Sequence, residues 1–292
     1  MTANGTKGIY RSFTKAELER EYSPSSCIPD INVFLRAYAE RSRAARESCR
    51  MIANIPYGPH TDEIFDFFPA VSKNAPLQIF IHGGYWQALS KNDSSFAAPD
   101  FVRAGIAFVT LNYSLAPQAA LDEIVRQCRA ATAWLYRNAE QLGFAKNRIF
   151  VSGSSAGAHL AAMVAATNWQ RDYNLPNGLV KGCTAVSGVF DLEPIRFTDV
   201  DAPLLLDAET ARRNSPLFLR PIVPAKLIVC WGDNETAEFK RQSLEFAAAW
   251  ENVENATEVF EMAGYNHFDV ILALGDTTTA LGQAVMRQMG VD

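Results

Sequence analysis

Short runs rich in Val, Ile, Leu and Phe recur along the chain, separated by longer stretches in which apolar positions fall every three or four residues. Five of these runs predict strands: 77–82 (LQIFIH), 106–112 (IAFVTLN), 148–152 (RIFVS), 182–187 (GCTAVS) and 226–231 (KLIVCW), with 258–262 as a sixth. Helical periodicity covers 118–142, 156–168, 235–250 and 276–289. Before the first strand, 14–22 opens with Thr14 followed three residues later by Glu17, the pattern of a capping box. A second helix, 30–50, carries its charge mainly on one face, and a Pro-containing link at 23–29 separates the two. Strands alternating with helices predict an α/β fold, a mostly parallel sheet flanked by helices. In such sheets ligands bind beyond the carboxyl ends of the strands, so the loops after the runs are where chemistry is expected. The stretch 190–224 breaks the alternation with five prolines and no clear strand, and reads as an insertion over the sheet edge. One domain over 1–292, with an N-terminal helical region at 1–50 and a small cap at 190–224, is the simplest organisation.

Composition narrows the classes of function. With 48% hydrophobic and 20% charged residues among 292, the chain can build a sizeable core, which excludes disorder, collagen and coiled coil. There are 27 basic residues against 32 acidic ones, net −5, and no run of Lys or Arg, so a nucleic-acid partner is not expected. No stretch approaches the roughly 18 apolar residues that span a bilayer, so no membrane partner is expected, and the start lacks the apolar run of a signal peptide. Five cysteines, odd in number and without a C-x-x-C pair, suggest neither a disulfide framework nor a zinc site. A cytoplasmic protein without metal or organic cofactor is the expectation.

Gly153-Ser154-Ser155-Ala156-Gly157 matches G-x-S-x-G between the run RIFVS and the Ala-rich helical stretch AGAHLAAMVAA. A strand-to-helix turn this sharp strains the backbone of its central residue and projects its Oγ above the sheet, which makes Ser155 the candidate nucleophile. A serine hydroxyl needs a general base within hydrogen-bond reach. Of the four histidines, His60 precedes the sheet, His82 ends a strand and His159 lies four residues after Ser155 on the same helix. His267, in AGYNHFD, is last in chain order, where the base of such hydrolases comes. An acid must orient it. Asp191 follows one run, whereas Asp233 and Glu235 follow LIVCWG; the Gly-x-x-acid spacing from Gly232 selects Glu235, with Asp233 the alternative. His82-Gly83-Gly84-Tyr85-Trp86 follows another run, and the N–H groups of Gly83, Gly84 and Ala156 would form an oxyanion hole.

The sequence resembles the kynurenine formamidase (arylformamidase) branch of the α/β-hydrolase superfamily. The likeness rests on HGGYW at 82–86, NYSLAP at 112–117, SAGAHLAAM at 155–163, EFKRQS at 238–243 and HFDV at 267–270, and extends to EREYSPSS at 19–26 and IPYG at 55–58. It implies an α/β-hydrolase fold and the same three residues: Ser155 as nucleophile, His267 as base and Glu235 as acid. The chain departs from the family pattern in having Ser154 where His usually precedes the nucleophile, and Glu where many members have Asp at 235.

Tyr85 and Trp86 are expected to wall the site, joined by Phe190, Phe197 and 204–206 from the cap, so that an aryl leaving group fits. Tyr85 takes the place of a third glycine and would narrow the acyl side towards formyl or acetyl. The expected substrate is a small aromatic amide of the N-formylkynurenine type. The same machinery would cleave small aryl esters. A non-catalytic binding scaffold is disfavoured because all three residues are present.

Overall fold

A computed structural model describes residues 8–223, 225–251 and 257–291. Residues 1–7 of the expected helical region and residue 224 of the expected cap lie outside these. Eight strands form one sheet: β1 Ile52–Pro56, β2 Ile64–Phe68, β3 Ala75–Ile81, β4 Ala107–Leu111, β5 Phe144–Ser154, β6 Val180–Val186, β7 Lys226–Asn234 and β8 Thr257–Asn266. Their order across the sheet is β1-β2-β4-β3-β5-β6-β7-β8. From β4 to β8 every pair is parallel, while β1 and β2 add an antiparallel edge.

The helices are α1 Lys15–Glu21, α2 Asn32–Ser48, α3 Ala98–Arg103, α4 Leu121–Arg137, α5 Ala139–Leu142, α6 Ala156–Ala165, α7 Trp169–Tyr173, α8 Ala208–Arg213, α9 Ala237–Glu251 and α10 Ala280–Met289. The expected helix 118–142 is two, broken at Asn138. The capping box at Thr14 and Glu17 forms as its spacing predicts. Side chains along the central strands alternate between two buried faces. Ile79 and Val229 join Leu18 of α1, Leu135 of α4, Leu160 of α6 and Phe246 of α9 in one cluster. Phe80 and Ile228 join Tyr38 of α2, Phe101 of α3 and Val285 of α10 in the other. No helix among the described residues is long and apolar enough to cross a membrane.

Two features differ from expectation and both bear on the site. The stretch after β6 starts from an interior strand, not an edge, and packs back on α6 and α9: the Phe190 ring stacks on Phe246 at 4.1 Å, and Leu217 donates its N–H to the Phe190 carbonyl. The segment that crosses the carboxyl ends of the strands is instead the N-terminal one. Leu18 and Tyr22 are buried in the first cluster and Tyr38 in the second, so the chain between them runs from one face of the sheet to the other.

Candidate active site

Ser155 sits at φ 56° and ψ −122°, a conformation few side chains adopt, at the junction of β5 and α6. The flanking glycines are sterically required. A Cβ on Gly153 would lie 2.2 Å from the Gly157 carbonyl oxygen, and one on Gly157 would lie 2.1 Å from that of Ile81. The turn is tied down by the Ser155 N–H, which donates to the Val186 carbonyl at 2.9 Å.

His267, which lines the same cavity as Ser155, meets Glu235. The His267 Nδ1–H donates to Glu235 Oε2 at 2.9 Å, which fixes the tautomer and leaves Nε2 with its lone pair. The other carboxylate oxygen, Oε1, accepts from the Gly232 N–H at 2.7 Å and from Ser187 Oγ at 2.6 Å. Three donors thus hold a buried carboxylate in one orientation, as burial of a charge demands. Asp233 points away: its Oδ2 accepts from the Gly264 N–H on an exposed stretch of β8. Asp191 is held by the Tyr10 hydroxyl and the Glu193 N–H, elsewhere in the fold. The His267 loop is closed by Asn266 and Asp269, each capping the other's backbone or side chain, and the imidazole packs edge-on against Phe239 at 4.6 Å.

Gly83 and Gly84 face the same space. A Cβ on Gly83 would lie 2.7 Å from the Ser154 carbonyl oxygen and 3.3 Å from the Ser155 Cβ, and one on Gly84, at φ 96°, would strike the Ala88 carbonyl. Ala156 opens α6, where helix geometry leaves the first N–H groups without an intrahelical acceptor. The loop is braced by Tyr113, whose hydroxyl donates to the His82 carbonyl at 2.8 Å and whose ring stacks on His82 at 4.2 Å. Burial pulls the His82 imidazole down to about 4, so it is neutral.

These groups share a cavity of about 380 Å³, lined by Ser154, Ser155, His267, Gly83, Gly84 and Tyr85. Its remaining walls are largely aromatic and apolar: Tyr22, Tyr38, Phe80, Phe96, Phe268, Leu35 and Ile271. Tyr85 does line the cavity, and its hydroxyl donates to the Tyr22 carbonyl at 2.6 Å. Trp86, expected to wall the site, does not. Its indole is fully buried in the first core cluster and donates from Nε1 to His159 Nδ1 at 3.2 Å, because the positive φ of both residues turns successive side chains apart. His159 completes that link by donating Nε2–H to the Asn214 carbonyl, and burial keeps it neutral, at about 4.

Phe190, Phe197 and 204–206 are also absent from the walls; Phe190 is core and Leu205 is 81% exposed. Among the described residues of the expected cap, only Asp199 and Val200 reach the cavity. Sequence reading missed the residues at 19–38 that cover it, among them Glu19, Tyr22, Pro24 and Leu35. It also missed Ser187, the second side chain on Glu235. A strained Ser187, at φ 52° after β6, gives no sequence signal beyond SG. Among the described residues no group of His, Cys, Asp or Glu side chains could hold a metal ion.

A family model described as BD-FAE matches residues 66–202. The kynurenine formamidase of Salmo salar is 34% identical over 96% of this chain and 98% of its own length. The esterase LipQ of Mycobacterium tuberculosis is 27% identical over 84% of this chain and 63% of its own. Among solved structures, an esterase of Pyrobaculum calidifontis superposes with a TM-score of 0.72 at 18% identity, covering 94% of this chain and 97% of that one.

Proposed function

The chain belongs to the kynurenine formamidase family of α/β-hydrolases, and from that premise we propose that it is a serine hydrolase releasing formyl or acetyl groups from aryl amines. The observation that carries the reading is the Glu235–His267 contact of 2.9 Å opening onto the cavity that also holds Ser155. Ser155 Oγ attacks the acyl carbonyl while His267 Nε2 takes its proton, and Glu235 stabilises the imidazolium that results. The N–H groups of Gly83, Gly84 and Ala156 receive the oxyanion. His267 then protonates the departing nitrogen, and a water activated by the same imidazole frees the acid. No cofactor enters this sequence of steps.

The aromatic walls favour an aryl leaving group, whose ring also draws on the nitrogen lone pair and weakens the amide. The substrate class named for the fish relative, a formylated aryl amine, comes to this chain on that ground. Five free cysteines support the reducing cytoplasm as its compartment. A second reading, a carboxylesterase on small aryl esters, is supported by the esterase relative and by a triad that makes no distinction between ester and amide in its first step.

Hydrolysis of N-formylkynurenine, formanilide, acetanilide and phenyl acetate separates the two. The formamide is expected to have the highest kcat/KM, and Ser155→Ala to lower it by about 10⁴-fold or more. A preference for phenyl acetate by several orders of magnitude would assign the esterase reading instead.

A further inference from the structure

A second cavity of about 380 Å³ lies at the other end of α6 from Ser155, lined by Met163 and Ala166 at the helix end. Ten helical residues at about 1.5 Å each put it about 15 Å from the nucleophile. Its walls carry four guanidinium groups, from Arg129, Arg171, Arg213 and Arg220, against two carboxylates, Asp122 and Asp172. In a chain of net charge −5 this is a local reversal of sign.

Both carboxylates are already taken. Asp122 accepts from Arg213 at 2.6 Å and from Asn214 at 2.8 Å, and Asp172 accepts from Arg171 Nη2 at 3.0 Å and Nε at 2.5 Å. Two cations are left over. Arg220, exposed, reaches among the described residues only the Ala249 carbonyl, at 3.4 Å. Arg129, on α4, makes no hydrogen bond or ion pair among the described residues, and its Nε is sealed from solvent without an acceptor. Burial works against its charge and outweighs the attraction of Tyr173 and Asp172, so its pKa is lowered. A guanidinium cannot shed its proton to escape this cost, so it calls for an anion.

We infer that this cavity binds a small dianionic oxyanion, a phosphate monoester or a dicarboxylate, with Arg129 as its anchor and Arg220 at its rim. Two guanidiniums without a hydrogen-bonded carboxylate match two negative charges, and the planar N–H fork fits phosphate and carboxylate oxygens alike. Arg171 and Arg213, pinned by their own carboxylates, give the walls a fixed geometry.

Thermal unfolding of the full chain in sodium phosphate, sodium succinate and sodium chloride of matched ionic strength tests the site. Phosphate or succinate is expected to raise Tm with a saturating concentration dependence, and whichever does so identifies the chemistry of the natural ligand. Arg129→Gln should weaken the apparent affinity about tenfold or more, and Arg220→Gln should weaken it less. In chloride alone Arg129→Gln should unfold at or above the wild-type Tm, because it removes a largely buried charge that has no hydrogen-bonded acceptor. No rise beyond chloride with either anion overturns the site, as does an equal rise in both variants. A lower Tm of Arg129→Gln in chloride would also overturn it, since Arg129 would then already have its partner in the fold. Arg220→Gln, on the surface, carries the affinity test if Arg129→Gln does not fold.

Discussion

Asp233 and Glu235 leave the same strand two residues apart, and their surroundings separate them. Glu235 is buried with three donors around it, one of them His267, whereas Asp233 accepts from the Gly264 N–H of β8 at the exposed surface. In the proposed triad the carboxylate acts by charge, holding the tautomer and stabilising the imidazolium, so a neutral isostere keeps the shape and loses the effect. Glu235→Gln is therefore expected to retain the wild-type circular dichroism spectrum while kcat falls by about 10³ to 10⁴-fold. Asp233→Asn should stay within about twofold of wild type. Measuring kcat for both variants on one substrate decides it, and the reverse ranking would move the acid to Asp233.

The cover of the cavity is built from the segment joining α1 to α2, not from the proline-rich stretch after β6. Ser23, Pro24 and Ser25 line the cavity between Tyr22 on one side and Leu35 and Tyr38 on the other. Each end is fastened: the Tyr22 hydroxyl donates to Glu238 at 2.8 Å and accepts from Gln242 at 2.7 Å, and the Tyr38 hydroxyl donates to the Phe268 carbonyl beside His267. A wall that only binds should affect ground and transition states equally. Leu35→Ala is expected to raise KM for formanilide about tenfold with kcat within about twofold. Leu205→Ala, in the exposed part of the stretch after β6, should change neither. A fall in kcat with unchanged KM for Leu35→Ala would show the segment acting on the catalytic loop rather than as a wall.

The antiparallel edge is joined to the half of the molecule that carries the proposed site by a buried ion pair. Asp66, in the middle of β2, receives Lys91 Nζ at 2.9 and 3.0 Å and the Asn54 N–H at 2.8 Å. Lys91 lies in the segment that follows HGGYW, so the pair links the sheet edge to the region of the proposed oxyanion loop. Arg46, at 3.9 Å and partly exposed, is a second and weaker ion-pair partner of Asp66. Removing one partner strands a buried charge, so Lys91→Met is expected to cost about 3 to 5 kcal/mol in urea unfolding. Replacing both, Asp66→Leu with Lys91→Met, should recover most of that loss. A cost near zero for Lys91→Met alone would mean that Asp66 has other compensation.

Six strands, the elbow at Ser155, the late histidine and the Gly-x-x-Glu register were legible in the sequence because each is a local pattern: an apolar run, a glycine-flanked turn, a fixed spacing after a strand. Local sterics fix such features within a few residues, as the close approaches at Gly153 and Gly157 illustrate. β1 and β2 were not legible, since β1 is mostly exposed and Asp66 interrupts the apolar run of β2. Lys91, 25 residues on, is what makes that carboxylate tolerable in a strand. Trp86, the cover at 19–38, the Ser187 donor and the isolation of Arg129 belong to the same class. In each, side chains far apart in sequence compete for one buried space or one buried charge, and only the folded chain decides which of them meet.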